Sequence, residues 1–250
     1  MMKNACLSKT LLLGAWCMLA ASPLTATTIF DNSVHSIHAN LGFGGMECGD
    51  EIQLAGTARL LTNFSCGYVL VVADPTPHVT VKVRFYLNDG PPPWWDTYPT
   101  PGTVIYDSGW LPVGQALPGS LVLSAGSGLP ADGLFLPSSD MTWSIQFQGL
   151  VDDQDAPSLR VFSPPVVGSD PPYSWLNQGD GYWDRQALDG RTMDFMASFE
   201  ATEIPEPSSA AFLLLTITFM SIVRVREHEV RRGANKGATG KCGIRALFHT

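Results

Sequence analysis

The sequence predicts an all-β fold, an antiparallel β-sandwich of the jelly-roll or immunoglobulin-like kind, flanked by an N-terminal signal helix and a C-terminal transmembrane helix. Three observations carry this expectation. Residues 78–87 alternate strictly, with Val79, Val81, Val83, Phe85 and Leu87 on one side and Thr80, Lys82, Arg84 and Tyr86 on the other, the period of a strand with one face in a core and one in water. Residues 141–148 repeat the pattern, Trp143, Ile145 and Phe147 alternating with hydroxyl and amide side chains. Outside the two apolar ends, no window of ten or more residues carries the 3.6-residue stripe of a helix.

Taken in order, the chain begins with Lys3 and Lys9 ahead of an apolar run over 11–21, and Ser22-Pro23-Leu24-Thr25-Ala26 supplies small residues for cleavage. Residues 1–26 are therefore a secretory signal peptide, too short in its apolar part to be a span. Trp16 before Cys17 argues against a lipid-attachment site. Residues 27–203 form the exported domain. Within it, strands are expected over 51–54, 59–64, 68–72, 78–87, 104–106, 120–123, 141–148, 158–162 and 193–199. Turn-forming clusters separate them, among them Asn88-Asp89-Gly90, Asp107-Ser108-Gly109 and Gly179-Asp180-Gly181. Short strands spaced by such turns are the signature of a sandwich.

Charge is distributed unevenly. The chain carries a formal net charge of -8, but six of its basic residues and about twenty of its acids fall within 27–203. So acidic a domain does not bind nucleic acid by neutralising phosphates. It favours cations or neutral sugars as partners and repels acidic polysaccharide unless divalent ions bridge the two. Of the five cysteines, Cys48 and Cys66 lie in the exported part. They are candidates for a bridge closing a loop of about 18 residues, worth on the order of 3 kcal/mol. The alternative is two separate small core residues.

Residues able to do chemistry are few. His35 and His38 have the spacing of a metal pair, but without a third ligand in the sequence they read as a solvated strand. No nucleophile elbow, zinc-protease motif, phosphate loop or dinucleotide fingerprint occurs, so no catalytic residue is expected and no cofactor is implied. Calcium is the exception worth naming. Asp152, Asp153 and Asp155 stand between two strands where carboxylates and carbonyls would surround a hard cation, and Asp180 with Asp184 offers a second loop. Aromatic loops are the other candidate. Trp94, Trp95 and Tyr98 lie in a proline-rich connection, and stiff loops presenting such rings stack on sugars; the alternative is a lid folded over the sandwich edge.

The C-terminal segment, 204–232, reads as a sorting signal in three parts, the alternative being an ordinary single-pass anchor behind a proline linker. Pro205-Glu206-Pro207-Ser208 is a stiff extended lead, because each proline holds the preceding residue extended. Residues 209–223 carry no charge. A helix from Pro207 to residue 223 spans about 26 Å at roughly 1.5 Å per residue, slightly under a hydrocarbon core of about 30 Å. Arg224, Arg226, Arg231 and Arg232 then form a basic cluster that belongs on the cytoplasmic side. Residues 233–250 are a tail with no structural signal.

Together these residues resemble the PEP-CTERM sorting signal of Gram-negative, biofilm-forming bacteria. Pro205, Glu206, Pro207 and Ser208 match its motif, residues 209–223 its span, and Arg224 with Arg226 its basic end, whereas the run on to Thr250 is longer than the family's usual close. The resemblance implies a substrate of an exosortase, anchored transiently in the inner membrane and released to the cell surface or extracellular matrix. The body looks like the β-sandwich ectodomains that precede such signals, with Asp50-Glu51-Ile52-Gln53-Leu54-Ala55-Gly56-Thr57 as a characteristic opening. The expected function is structural or adhesive, in exopolysaccharide or biofilm, and not enzymatic. The rival expectation is a secreted module that binds or cleaves carbohydrate.

Overall fold

The computed structural model describes residues 25–71, 79–113, 119–150, 156–171, 174–179, 181–186 and 194–204. The signal segment lies outside them, as does the tail with Pro205, Glu206, Pro207, Ser208, Arg224, Arg226, Arg231 and Arg232. Among the described residues no helix is long and apolar enough to cross a membrane.

The described chain is all-β. Its strands are β1 (Thr27–Asp31), β2 (Ser36–Gly42), β3 (Glu47–Gln53), β4 (Leu60–Val71), β5 (Thr80–Leu87), β6 (Val104–Asp107), β7 (Leu111–Pro112) and β8 (Gly119–Ala125). They continue with β9 (Gly128–Leu129), β10 (Leu134–Phe135), β11 (Asp140–Gln148), β12 (Ala156–Phe162), β13 (Ser174–Asn177), β14 (Trp183–Gln186) and β15 (Ala197–Thr202). One sheet has the order β1-β15-β4-β12-β2, with β8 and β10 also on β4 and β9 parallel to β8. The other has the order β14-β13-β3-β11-β5-β6, with β7 on β5. Every pairing except β8 with β9 is antiparallel.

The alternation seen in the sequence sets which faces meet. Val81, Val83 and Phe85 of β5 are fully buried, as are Trp143 and Ile145 of β11, and they face Phe64 and Phe199 of the first sheet. Phe64 lies 5.1 Å from Phe85, 5.6 Å from Trp143 and 4.8 Å from Phe199, ring centre to ring centre, in edge-on arrangements. Such edge-to-face geometry suits the ring quadrupoles. Each ring so buried contributes roughly 1.5–3 kcal/mol by area. The two sheets thus share one hydrophobic core.

Three expectations are revised. The strands expected over 59–64 and 68–72 fall on one twelve-residue strand, β4, over Leu60–Val71. Gly67, which reads as a break, serves there as a point of close approach: a Cβ at this position would lie 2.3 Å from the Met196 sulfur. Strands β1, β7, β9, β10, β13 and β14 were not anticipated, because each is too short to carry a readable alternation. Cys48 and Cys66 form no bridge; both are buried and free. They belong to different sheets, Cys48 opposite Ile145 and Leu176 and Cys66 opposite Leu121 and Ala197, each filling its own row of the core.

Candidate functional site

The outer face of the second sheet carries the polar side of the β5 pattern, and a cleft of about 490 Å3 opens over it. Glu47 at the start of β3, Arg84 and Tyr86 of β5, Asn177 of β13 and Trp183 of β14 meet the loop Pro91–Pro93, Trp94 and Tyr182 there. Strand order makes the meeting possible: β3 and β5 both flank β11, so outward side chains of all three lie side by side.

Glu47 is the centre of a closed polar network. It is 4% exposed. Its Oε1 accepts hydrogen bonds from the Tyr86 hydroxyl at 2.7 Å and the Ser144 hydroxyl at 2.5 Å, and its Oε2 accepts from Arg84 Nη1 at 2.9 Å. Arg84 also donates through Nε to Asp107 at 2.7 Å. Burial, and then the Glu47 charge, push the Tyr86 phenol well above its ordinary range, so it stays protonated and donates. Burial works against the Arg84 charge, but Asp107 and Glu47 outweigh it and hold the guanidinium ionised.

Aromatic rings line the same face in two layers. Trp175 is fully buried and donates from Nε1 to Glu51 at 3.2 Å. Burial, and then Asp140, raise the Glu51 carboxyl, while Trp175 and Arg185 pull it back. Trp183 is buried edge-on against Tyr86, with centroids 5.4 Å apart at 79°. Above them stand rings in solvent: Trp94 is 92% exposed, Tyr98 55% and Tyr182 44%.

The loop bearing the outer rings is fixed at both ends. At its base Gly90 and Thr100 form an isolated antiparallel bridge, with N–O distances of 2.9 and 3.3 Å. A Cβ on Gly90 would lie 2.9 Å from the Thr100 and Pro101 carbonyl oxygens, so only glycine closes the loop this tightly. At its far side Asp96 Oδ2 pairs with Arg185 of β14 at 2.9 Å. Asp96 Oδ1 accepts from the Thr97 and Tyr98 amides at 2.7 and 3.2 Å, and the Arg185 guanidinium lies 4.9 Å from the centre of the Tyr98 ring.

The residues singled out from sequence divide sharply. Trp94 stands at the cleft, exposed rather than folded back as a lid. Trp95 is 43% exposed and is not among the residues lining the cleft, and Tyr98 is engaged by Arg185. Asp152, Asp153 and Asp155 lie outside the described residues, as does Asp180; Asp184 is half-buried on β14. His35 is exposed ahead of β2 and His38 lies within β2. Among the described residues no three or more His, Cys, Asp or Glu side chains are grouped to hold a metal ion. The Glu47 network was missed, although Arg84 and Tyr86 both fall on the outward side of the β5 alternation and are unusual there for their bulk and polarity. No family model, curated protein or solved structure matches this chain.

Proposed function

We propose that the chain is an exported envelope or matrix protein of a Gram-negative bacterium, sorted by an exosortase, whose β-sandwich holds exopolysaccharide as an adhesive component. In this reading the sandwich is of the jelly-roll or immunoglobulin-like kind. A signal helix takes it through the inner membrane, and a transmembrane helix holds it there until the tail is cut.

The cleft is the observation that carries the adhesive reading. An exposed indole at its wall, backed by a rigid proline loop, presents a flat apolar face at little entropic cost. Glu47, Arg84, Tyr86 and Asn177 supply directional polar groups, and the volume suits a saccharide unit. Among the described residues Glu47 is the one carboxylate lining it and is committed to three donors, whereas glycoside hydrolysis calls for a pair flanking the scissile bond. That favours holding over cutting.

Trp94→Ala is the test. The side chain is 92% exposed, so stability should stay within about 0.5 kcal/mol, while retention of the protein on exopolysaccharide falls about tenfold. Unchanged retention overturns the adhesive reading, and release of reducing ends by the native protein moves it to the carbohydrate-active alternative. The sorting reading is tested separately, by intact mass in the surface fraction. Native protein should lack the segment after Pro207, and Glu206→Ala should keep it.

A further inference from the structure

Two carboxylates have buried oxygens and, among the described residues, no ion-pair partner. Asp50 lies in mid-β3 and is wholly buried. Its neighbours across the sheet are Trp143 on β11 and Ser174 on β13, and residues directly opposite in an antiparallel pair share one face. Asp50 Oδ2 accepts the Phe195 amide at 2.7 Å, but Oδ1 has no hydrogen-bond partner among the described residues. Asp170 follows the bridge between Ser169 and Gln53, and both of its carboxylate oxygens are shut off from solvent without a partner.

A third group points the same way. Ser174, fully buried and directly opposite Asp50, has a hydroxyl oxygen that also lacks a partner. Ion pairs among the described residues join Arg84 to Glu47 and Asp107, and Arg185 to Asp96; none reaches Asp50 or Asp170. Burial raises both carboxyls, and the charges of Asp194 and Glu51 raise each further. A fold tolerates buried carboxylates when a cation or protons compensate them, and dry hydroxyls when something accepts or uses their lone pairs.

We propose that Asp50, Asp170 and Ser174 form a cation site for calcium, with water and backbone carbonyls completing its shell. The donors are all oxygen, which selects a hard cation, and calcium tolerates the irregular shell that such a set gives, whereas magnesium demands a near-ideal octahedron. Two carboxylates and a hydroxyl make a smaller set than the three or more acidic, histidine or cysteine side chains that are nowhere grouped for a metal among the described residues. The site joins β3, β13 and the stretch at Asp170, and through Asp50 Oδ2 it reaches Phe195 ahead of β15 in the other sheet. Its ligands are other residues than Asp152, Asp153 and Asp155, which lie outside the described residues.

The test is calcium binding by the full-length protein at neutral pH, by equilibrium dialysis against radioactive calcium, with melting in calcium and in chelator alongside. Native protein is expected to bind calcium and to melt higher in it. Asp50→Asn and Asp170→Asn should each weaken that binding by at least about tenfold, whereas the double variant Asp152→Asn with Asp155→Asn keeps it. Native protein that binds no calcium overturns the proposal and leaves protons as what neutralises the pair. Binding lost only in the Asp152 and Asp155 variant also overturns it. Should Asp50→Asn fail to fold, Asp170→Asn and Ser174→Ala decide the matter, since undiminished binding in both excludes the site.

Discussion

At the scale of single residues, Glu47 is the position on which most depends. Three donors from two neighbouring strands converge on one buried carboxylate, so its removal strands Arg84 Nη1, the Tyr86 hydroxyl and the Ser144 hydroxyl at once. Glu47→Ala should lower unfolding stability by about 2–4 kcal/mol, and Tyr86→Phe, which deletes one donor and leaves the acceptor two others, by about 1 kcal/mol. Denaturant titration of the two variants measures both, and equal losses would refute the convergence. The contrast with Trp94 shows what sequence can reveal. The loop placement of Trp94 was legible because prolines on its N-terminal side exclude it from a sheet, whereas its exposure, 92%, was not, since a ring folded back as a lid fits the same residues. Glu47 was not, because Met46-Glu47-Cys48-Gly49-Asp50 shows no clean alternation and its partners lie 37, 39 and 97 positions away.

At the scale of elements, the hairpin of β5 and β6 is tied by acids. Asp89 Oδ1 and Oδ2 accept from the Thr103 amide and hydroxyl at 2.6 and 2.7 Å, and these bonds lower its carboxyl. At Asp107 burial acts upward, but Arg84 and the Gly109 amide outweigh it and the carboxyl is again lowered. A group whose folded value is depressed stabilises the fold above its unfolded value, near 3.9, and loses that contribution as pH falls through the lower folded value. Melting temperature should therefore drop below about pH 4, less steeply in Asp107→Asn than in the native protein. An identical slope in both would remove Asp107 from the account. The hairpin was legible, since Asn88-Asp89-Gly90 marks the end of β5 and Asp107-Ser108-Gly109 the end of β6. Strands β13 and β14 were not, because four residues each, held by long-range pairing and capped by Trp175 and Trp183, leave too short a pattern to read.

At the scale of the molecule, two sheets close on a core containing both free thiols. Burial pushes the Cys66 thiol up to about 12 and the Cys48 thiol well above its usual value, so neither supplies thiolate near neutrality. The folded domain should therefore leave a thiol reagent unreacted at both positions, and both should react on unfolding; reaction of either in the native state would contradict the packing. The all-β class was legible from β5 and β11 alone, since their alternation fixes an inside and an outside. What gathers on the outside depends on sheet order, and no local pattern encodes that order.

Arg84 has a consequence that reaches beyond the fold. It already serves two carboxylates, so among the described residues lining the cleft no positive charge is uncommitted, and on the proposed reading ionic strength should have little hold on a ligand there. Raising salt would strip away a polymer attached by its charges while leaving this attachment in place. On the proposed adhesive reading, retention on a neutral polymer should therefore be the same at low and at high salt.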